Sequence, residues 1–248
     1  MSISLHAAGI RVVLLDIEGT TTPIAFVHDV LFPYARARTR TYLEDTPASD
    51  PDHVIAGLRD EYARDSGCGE PVPLWKTGTR REDMESLTRF VHWLMDQDRK
   101  STPLKLLQGK IWERGYTTGE LKGEVYPDVP GALDRWTTSG VGVGIFSSGS
   151  VLAQRMLFAN TNAGDLTRLL RWHFDTTVGA KVAAASYRAI VDALNTRAVH
   201  VLFVSDVVGE LDAARAAGLQ TALCVRAPAQ PPGAADHTVV TTFDQIAV

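Results

Sequence analysis

Three polar clusters in this 248-residue sequence each follow a short apolar run. Arg11-Val-Val-Leu-Leu15 leads into Asp16-Ile-Glu18-Gly-Thr20, and Val141-Gly-Val-Gly-Ile-Phe146 leads into Ser147-Ser148-Gly149. Val199-His-Val-Leu-Phe-Val204 leads into Ser205-Asp206, and Lys181 follows a shorter run, Trp172–Phe174. An apolar run with a polar end reads as a strand buried on both faces of a parallel sheet. Ligands of such sheets bind outside the carboxyl ends of the strands. Two carboxylates, hydroxyls and an amine at one edge suit a phosphate ester and a divalent cation. Asp16 and Asp206 offer oxygen ligands to Mg²⁺, with water and phosphate completing the octahedron. The hydroxyls of Ser147 and Ser148, with main-chain N–H groups at a helix start, can cradle phosphate oxygens. Lys181 neutralises the remaining charge. Each residue also has a plainer reading. Strand-end acids and serines commonly cap helices, and Lys181 alone reads as a surface lysine. Glu210 is either an i,i+4 neighbour of Asp206 or a group acting on the metal site through water.

The elements that must position these residues alternate. A fourth strand is expected at Gln220–Val225, after a helix over Val208–Ala217. Strands alternating with helices predict a doubly wound, Rossmann-like α/β parallel sheet. Between Ile24 and Val125 the apolar residues instead recur at helical spacing. Met84, Leu87, Phe90, Val91, Leu94 and Met95 form one stripe, and Leu104, Leu107, Ile111 and Trp112 a second. Val27, Val30, Leu31, Tyr34 and Ala35 form a third. Thr46–Pro51 and Ser66–Pro73 mark breaks between helices. The expected organisation is a core of residues 1–23 and 126–248 with an inserted helical cap, residues 24–125, over the sheet's active edge. A return helix opens at Pro127–Gly131, and a Pro/Ala loop over Ala227–Asp236 precedes a short strand at Val239–Val240.

Charge follows the same division. Lys and Arg number 15 and Asp and Glu 17 between Ile24 and Val125, leaving 10 and 12 elsewhere. The formal net charge of -4 argues against a nucleic-acid or anionic-membrane surface. No apolar run approaches the ~20 residues of a membrane span, and two cysteines, Cys68 and Cys224, build neither a disulfide framework nor a four-thiolate zinc site. These features predict a soluble cytoplasmic monomer acting on a small molecule. Gly140, Gly142 and Gly144 lie inside a strand, not in a strand-to-helix turn, so they do not form a dinucleotide fingerprint. His28, His92, His173 and His200 share no metal-ligand spacing and read as packing residues.

In order and spacing, Asp16-x-Glu18-Gly-Thr20, Ser147, Lys181 and Ser205-Asp206 with Glu210 resemble the four signature segments of the haloacid dehalogenase superfamily of phosphotransferases. Many members carry a cap where the helical insertion falls. Glu18 departs from the superfamily, whose second acid in the first segment is usually Asp. Longer strings resemble the enolase-phosphatase (acireductone synthase) family of methionine salvage. They include Asp16-Ile-Glu-Gly-Thr-Thr-Thr-Pro-Ile24, Leu31-Phe-Pro-Tyr34, Leu107-Gln-Gly-Lys-Ile-Trp-Glu113, Val125-Tyr-Pro-Asp128, Phe146-Ser-Ser-Gly-Ser-Val151 and Phe174-Asp-Thr-Thr-Val-Gly179. The likeness runs from about Val12 to Val225 and fades after Arg226.

The resemblance implies a bifunctional, Mg²⁺-dependent enzyme that enolises 2,3-diketo-5-methylthiopentyl 1-phosphate and then removes its phosphate, leaving the acireductone. It makes Asp16 the nucleophile that forms an aspartyl phosphate. Asp16, Asp206 and the main-chain carbonyl of Glu18 hold one Mg²⁺, and the Glu18 carboxyl protonates the leaving oxygen and later activates water. Ser147, Ser148 and Lys181 contact the substrate phosphate. Within the insertion, Trp112, Tyr116 and Lys122 either line the substrate pocket or serve as helical core and solvent-exposed surface. Two other readings share these residues. One is a superfamily phosphatase for another small phosphate ester. The other is a receiver-like domain holding a stable aspartyl phosphate, which needs about half this length and no insertion.

Overall fold

In the computed structural model of the chain, the residues described are 2–47, 49–99, 101–226 and 236–248; the Pro/Ala stretch over residues 227–235 lies outside them. Two compact units divide the chain, residues 1–27 with 121–248 and residues 28–120.

The first unit is built on a six-stranded, wholly parallel sheet. A two-residue strand β1 (Ile3–Ser4) pairs with β8 (Ile246–Ala247) outside it, a pairing too short for the sequence to announce. The main sheet comprises β2 (Val12–Leu15), β3 (Gly142–Phe146), β4 (Trp172–Phe174), β5 (Val201–Ser205), β6 (Gln220–Cys224) and β7 (Thr238–Val240). Its spatial order is β4-β3-β2-β5-β6-β7. Every residue of β2 and β5 is buried, as a strand covered on both faces requires. Val199 and His200, read from sequence as the start of β5, instead form a 3-10 turn over Ala198–His200, which places His200 Nδ1 2.8 Å from the Gly9 carbonyl. The helices on this sheet are α5 (Asp128–Thr138), α6 (Val151–Ala159), α7 (Ala184–Ala193) and α8 (Val208–Ala216). Phe146, Tyr187 and Phe203 meet ring to ring in the core beside Ile190, Leu211 and Leu223.

The order places β2 beside β5, with the crossovers before and after running outward on opposite sides. That is the topological switch point of a doubly wound sheet, where the loops diverge and leave a crevice at the carboxyl ends. Leu15 lies level with Val204 across this junction and with Ile145 of β3 on its other side.

The second unit contains four helices, α1 (Phe32–Asp45), α2 (Val54–Gly67), α3 (Arg80–Asp96) and α4 (Thr102–Thr117), with a π-helical turn over Phe26–Leu31 leading into α1. Thr79 and Glu82 make a capping box that starts α3, and Ser101 caps α4. Leu87, Phe90, Val91, Leu94, Leu104, Leu107 and Ile111 are buried, as their spacing predicts. Val30 is not: it stands 41% exposed because the wider π turn rotates it off the stripe of Val27 and Leu31. Trp112 is buried and donates its indole N–H to the Leu31 carbonyl at 2.8 Å. Tyr116 is buried with no hydrogen-bond partner for its hydroxyl among the described residues, while Lys122 belongs to the first unit and is exposed. Among the described residues, no helix is long and apolar enough to cross a membrane.

Candidate active site

Asp16 is the first residue past β2, and its N–H still donates to Val204 in the ladder at 3.0 Å. The chain then turns tightly. The Ile17 carbonyl accepts from the N–H groups of Thr20, Thr21 and Thr22 at 3.2, 2.9 and 2.9 Å, and the Thr21 hydroxyl bonds to the carbonyls of Asp16 and Ile17. Gly19 makes the turn possible with φ +69°, a left-handed conformation that side chains disfavour. A Cβ at this position would overlap Oδ2 of Asp206. The Asp206 carboxylate therefore lies directly against the backbone of the first cluster. Glu18 is partly exposed and bridges Thr22 as a one-residue ladder.

Lys181 is buried to 7% exposure, so it is not a surface lysine. Its Nζ donates to Asp16 Oδ1 at 2.6 Å and to Glu210 Oε2 at 2.7 Å. Burial alone pushes a lysine down, but the two carboxylates outweigh it and hold Lys181 above its ordinary value. Its carbonyl accepts from the buried Tyr187 hydroxyl at 2.7 Å, which ties the loop before α7 to the aromatic core. Glu210 meets Lys181 directly and also accepts from Ser205 at 2.9 Å, so its carboxylate is turned to the lysine. Burial first, and the charge of Asp16 second, push Glu210 upward. The same two causes push Asp206 up to about 7.

Ser147 is buried at the end of β3 and accepts from the Gly149 N–H at 3.2 Å; Ser148 is partly exposed. Neither caps the helix that follows. Ser150 does, accepting from the Ala153 N–H at 3.3 Å, while the Asp175 carboxylate accepts from the Val151 N–H at 3.1 Å. The loop is held from behind by Gln154, a buried polar residue that sequence reasoning passed over. Its amide donates to the carbonyls of Gly149 and Phe174 at 3.0 and 2.7 Å. A glutamine in a helix whose other residues are apolar apart from the neighbouring Arg155 was the available signal.

Residues 10–218 match the family of haloacid dehalogenase-like hydrolases. Over 240 residues the chain is 47% identical to enolase-phosphatase E1 of Synechococcus elongatus, covering 96% of this chain and 98% of that one. It is 44% identical over 220 residues to enolase-phosphatase E1 of Drosophila pseudoobscura, covering 87% and 85%. The chain belongs to the enolase-phosphatase family. Among solved structures it is similar to the UTR4 protein of Saccharomyces cerevisiae, with TM-score 0.75, 31% identity, and 95% and 99% of the two chains covered. The CbbY protein of Rhodobacter sphaeroides, 13% identical at TM-score 0.56 over 96% of this chain and all of that one, shares the fold.

For an enolase-phosphatase, the donor set decides which cation fits. Among the described residues no three His, Cys, Asp or Glu side chains form a metal-binding group. The site offers two carboxylates, Asp16 and Asp206, and main-chain oxygens of the turn. A small hard cation that keeps most of its waters needs no more than one or two carboxylates. The charges agree: with Asp206 ionised, three carboxylates face one ammonium, an excess of two negatives in a buried place. One divalent ion would neutralise it.

Proposed function

We propose that the chain is a Mg²⁺-dependent enolase-phosphatase of methionine salvage, converting 2,3-diketo-5-methylthiopentyl 1-phosphate to 1,2-dihydroxy-3-keto-5-methylthiopentene and phosphate. The observation that carries the reading is the Lys181 ammonium shared between Asp16 and Glu210 at the switch point, with Asp206 against Gly19 beside it. Its likeness to relatives named enolase-phosphatase E1 over nearly the whole chain supports the same substrate.

Asp16, Asp206 and the Glu18 carbonyl would hold the ion, whose charge lets an anionic carboxylate approach an anionic phosphate. The remaining steps belong to the chain. The Lys181 ammonium fixes the Asp16 carboxylate and stands ready for the phosphate oxygens, as do the hydroxyls of Ser147 and Ser148. The Asp16 oxygen forms a bond to phosphorus as the bond to the enol oxygen breaks, and Glu18 gives that oxygen a proton. Glu18 then takes a proton from water as it attacks the aspartyl phosphate, releasing phosphate and restoring Asp16. The chain is read as a cytoplasmic monomer, and its modest charge of -4 suits an enzyme of small molecules.

The test supplies the diketone phosphate with Mg²⁺ and follows enol formation and phosphate release separately. Enol appearing before phosphate is expected. Phosphate released with no preceding enol would leave a phosphatase for another ester, and a stable phosphoprotein without turnover would leave the receiver-like reading.

A further inference from the structure

We propose that Arg226 is a positioning residue for the nucleophile's turn, acting through the main-chain carbonyl of Thr20. Arg226 follows β6, far from Asp16 in sequence, yet its Nε and Nη2 donate to the Thr20 carbonyl at 3.1 and 2.9 Å. The Tyr126 N–H holds the next carbonyl, that of Thr21, at 3.0 Å. These two neighbouring carbonyls lie on the turn that carries Asp16, Glu18 and Gly19, and anchor it from outside.

The guanidinium is itself fixed on every side. Its Cζ lies 4.4 Å from the Tyr126 ring centre and 4.7 Å from that of Phe243, a sandwich of two aromatic faces. Nη1 donates to Asp128 Oδ2 at 2.7 Å, and the same oxygen accepts from the Thr242 hydroxyl at 2.9 Å and the Phe243 N–H at 2.6 Å. The side chain is 9% exposed. A planar fork with several fixed donors can span Asp128 and Thr20 at once, whereas a lysine is a single point of charge. Arg226 thus joins the start of α5 and the C-terminal segment to the turn that carries Asp16, through Asp128, Thr241 and Thr20.

The inference rests on the proposed chemistry for its readout, and the test separates the two. Wild type, Arg226→Ala, Arg226→Lys and Asp128→Asn are compared as full chains with Mg²⁺, at a temperature where circular dichroism shows each folded. Wild-type turnover of the diketone phosphate tests the function; if it fails, the same four proteins are compared on a generic phosphate ester. Arg226→Ala is expected to lower kcat about 100-fold, the scale of a small misplacement of reacting groups, with KM nearly unchanged. Arg226→Lys keeps a charge for Asp128 but loses the double donation, so its kcat stays at least about tenfold low. Asp128→Asn lowers Tm yet keeps kcat within about twofold, because Thr20 remains held. The proposal is overturned if Arg226→Lys matches wild type in kcat. It is equally overturned if Asp128→Asn loses as much kcat as Arg226→Lys, since the cluster would then be merely structural. Should Arg226→Ala fail to fold, the lysine and asparagine variants decide.

Discussion

Lys181 Nζ stands 2.6 Å from Asp16 Oδ1, with both side chains almost wholly withdrawn from water. Removing one partner of such a pair leaves the other charge buried and uncompensated, at a cost of about 3–5 kcal/mol. Lys181→Met is therefore expected to lower Tm and to cut kcat for phosphate release at least about 100-fold. Adding Asp16→Asn to Lys181→Met should recover part of the lost Tm but none of the activity. Thermal unfolding of the two variants checks this. If the double variant is less stable than Lys181→Met, the buried charge is not the source of the cost.

In the proposed mechanism Asp16 and Glu18 divide the chemistry. Asp16→Asn should abolish phosphate release, since an amide oxygen does not displace the enol oxygen from phosphorus. Glu18→Asp is the subtler variant. The extra methylene of Glu sets its carboxyl about one bond length further out than Asp would, and the proposed mechanism uses that reach for proton transfer at carbon as well as at oxygen. The aspartate variant is expected to slow enolisation more than phosphate release. Equal, wild-type rates for both half-reactions would remove the reason for Glu at this position.

How much of this was legible in the chain depends on the range of the signal. The strand ends carrying Asp16, Ser147 and Asp206 could be read because each is announced by its own apolar run, and parallel register carries them to one edge. The partnership of Lys181 with Glu210 was not legible, since Glu210 sits one helical turn beyond Asp206 and nothing local says which way its carboxyl faces. Helix α2 was obscured for a different reason: Glu61 and Asp65 are buried on it beside Val54, Ile55 and Leu58, which breaks the apolar stripe. Asp65 is compensated by Arg99, 34 positions away, at 3.0 Å. The Arg226 clamp left no trace because its partner is a main-chain carbonyl 206 positions away, and a carbonyl has no residue type.

Gly19 offers a test of the site's geometry that alters no charged group. Its φ of +69° and the Asp206 carboxylate lying where a Cβ would stand both exclude a side chain. Gly19→Ala is expected to displace Asp206 and raise the Mg²⁺ concentration for half-maximal activity about tenfold or more. Titration of activity with Mg²⁺, paired with Tm, checks this. An unchanged Mg²⁺ requirement would mean that Asp206 is not held where metal binding needs it.

Asp128 gives the stability of the α/β unit a pH dependence of definite sign. Burial alone would raise its pKa, but the Phe243 N–H, the Arg226 guanidinium and the Thr242 hydroxyl together hold it below the ordinary carboxylate value. A carboxyl depressed in the folded state binds its proton more readily when unfolded, at about pH 3.9. Its contribution is therefore whole above that value and lost as pH falls through the lower folded value. Asp128→Asn removes the titration and keeps an acceptor. The Tm difference between wild type and Asp128→Asn should be constant from neutral pH down to about pH 5. It should then narrow steadily as the solution is made more acid. A gap that stays constant into that acid range, or widens there, would show that the Asp128 carboxylate is not what Arg226 and Phe243 stabilise.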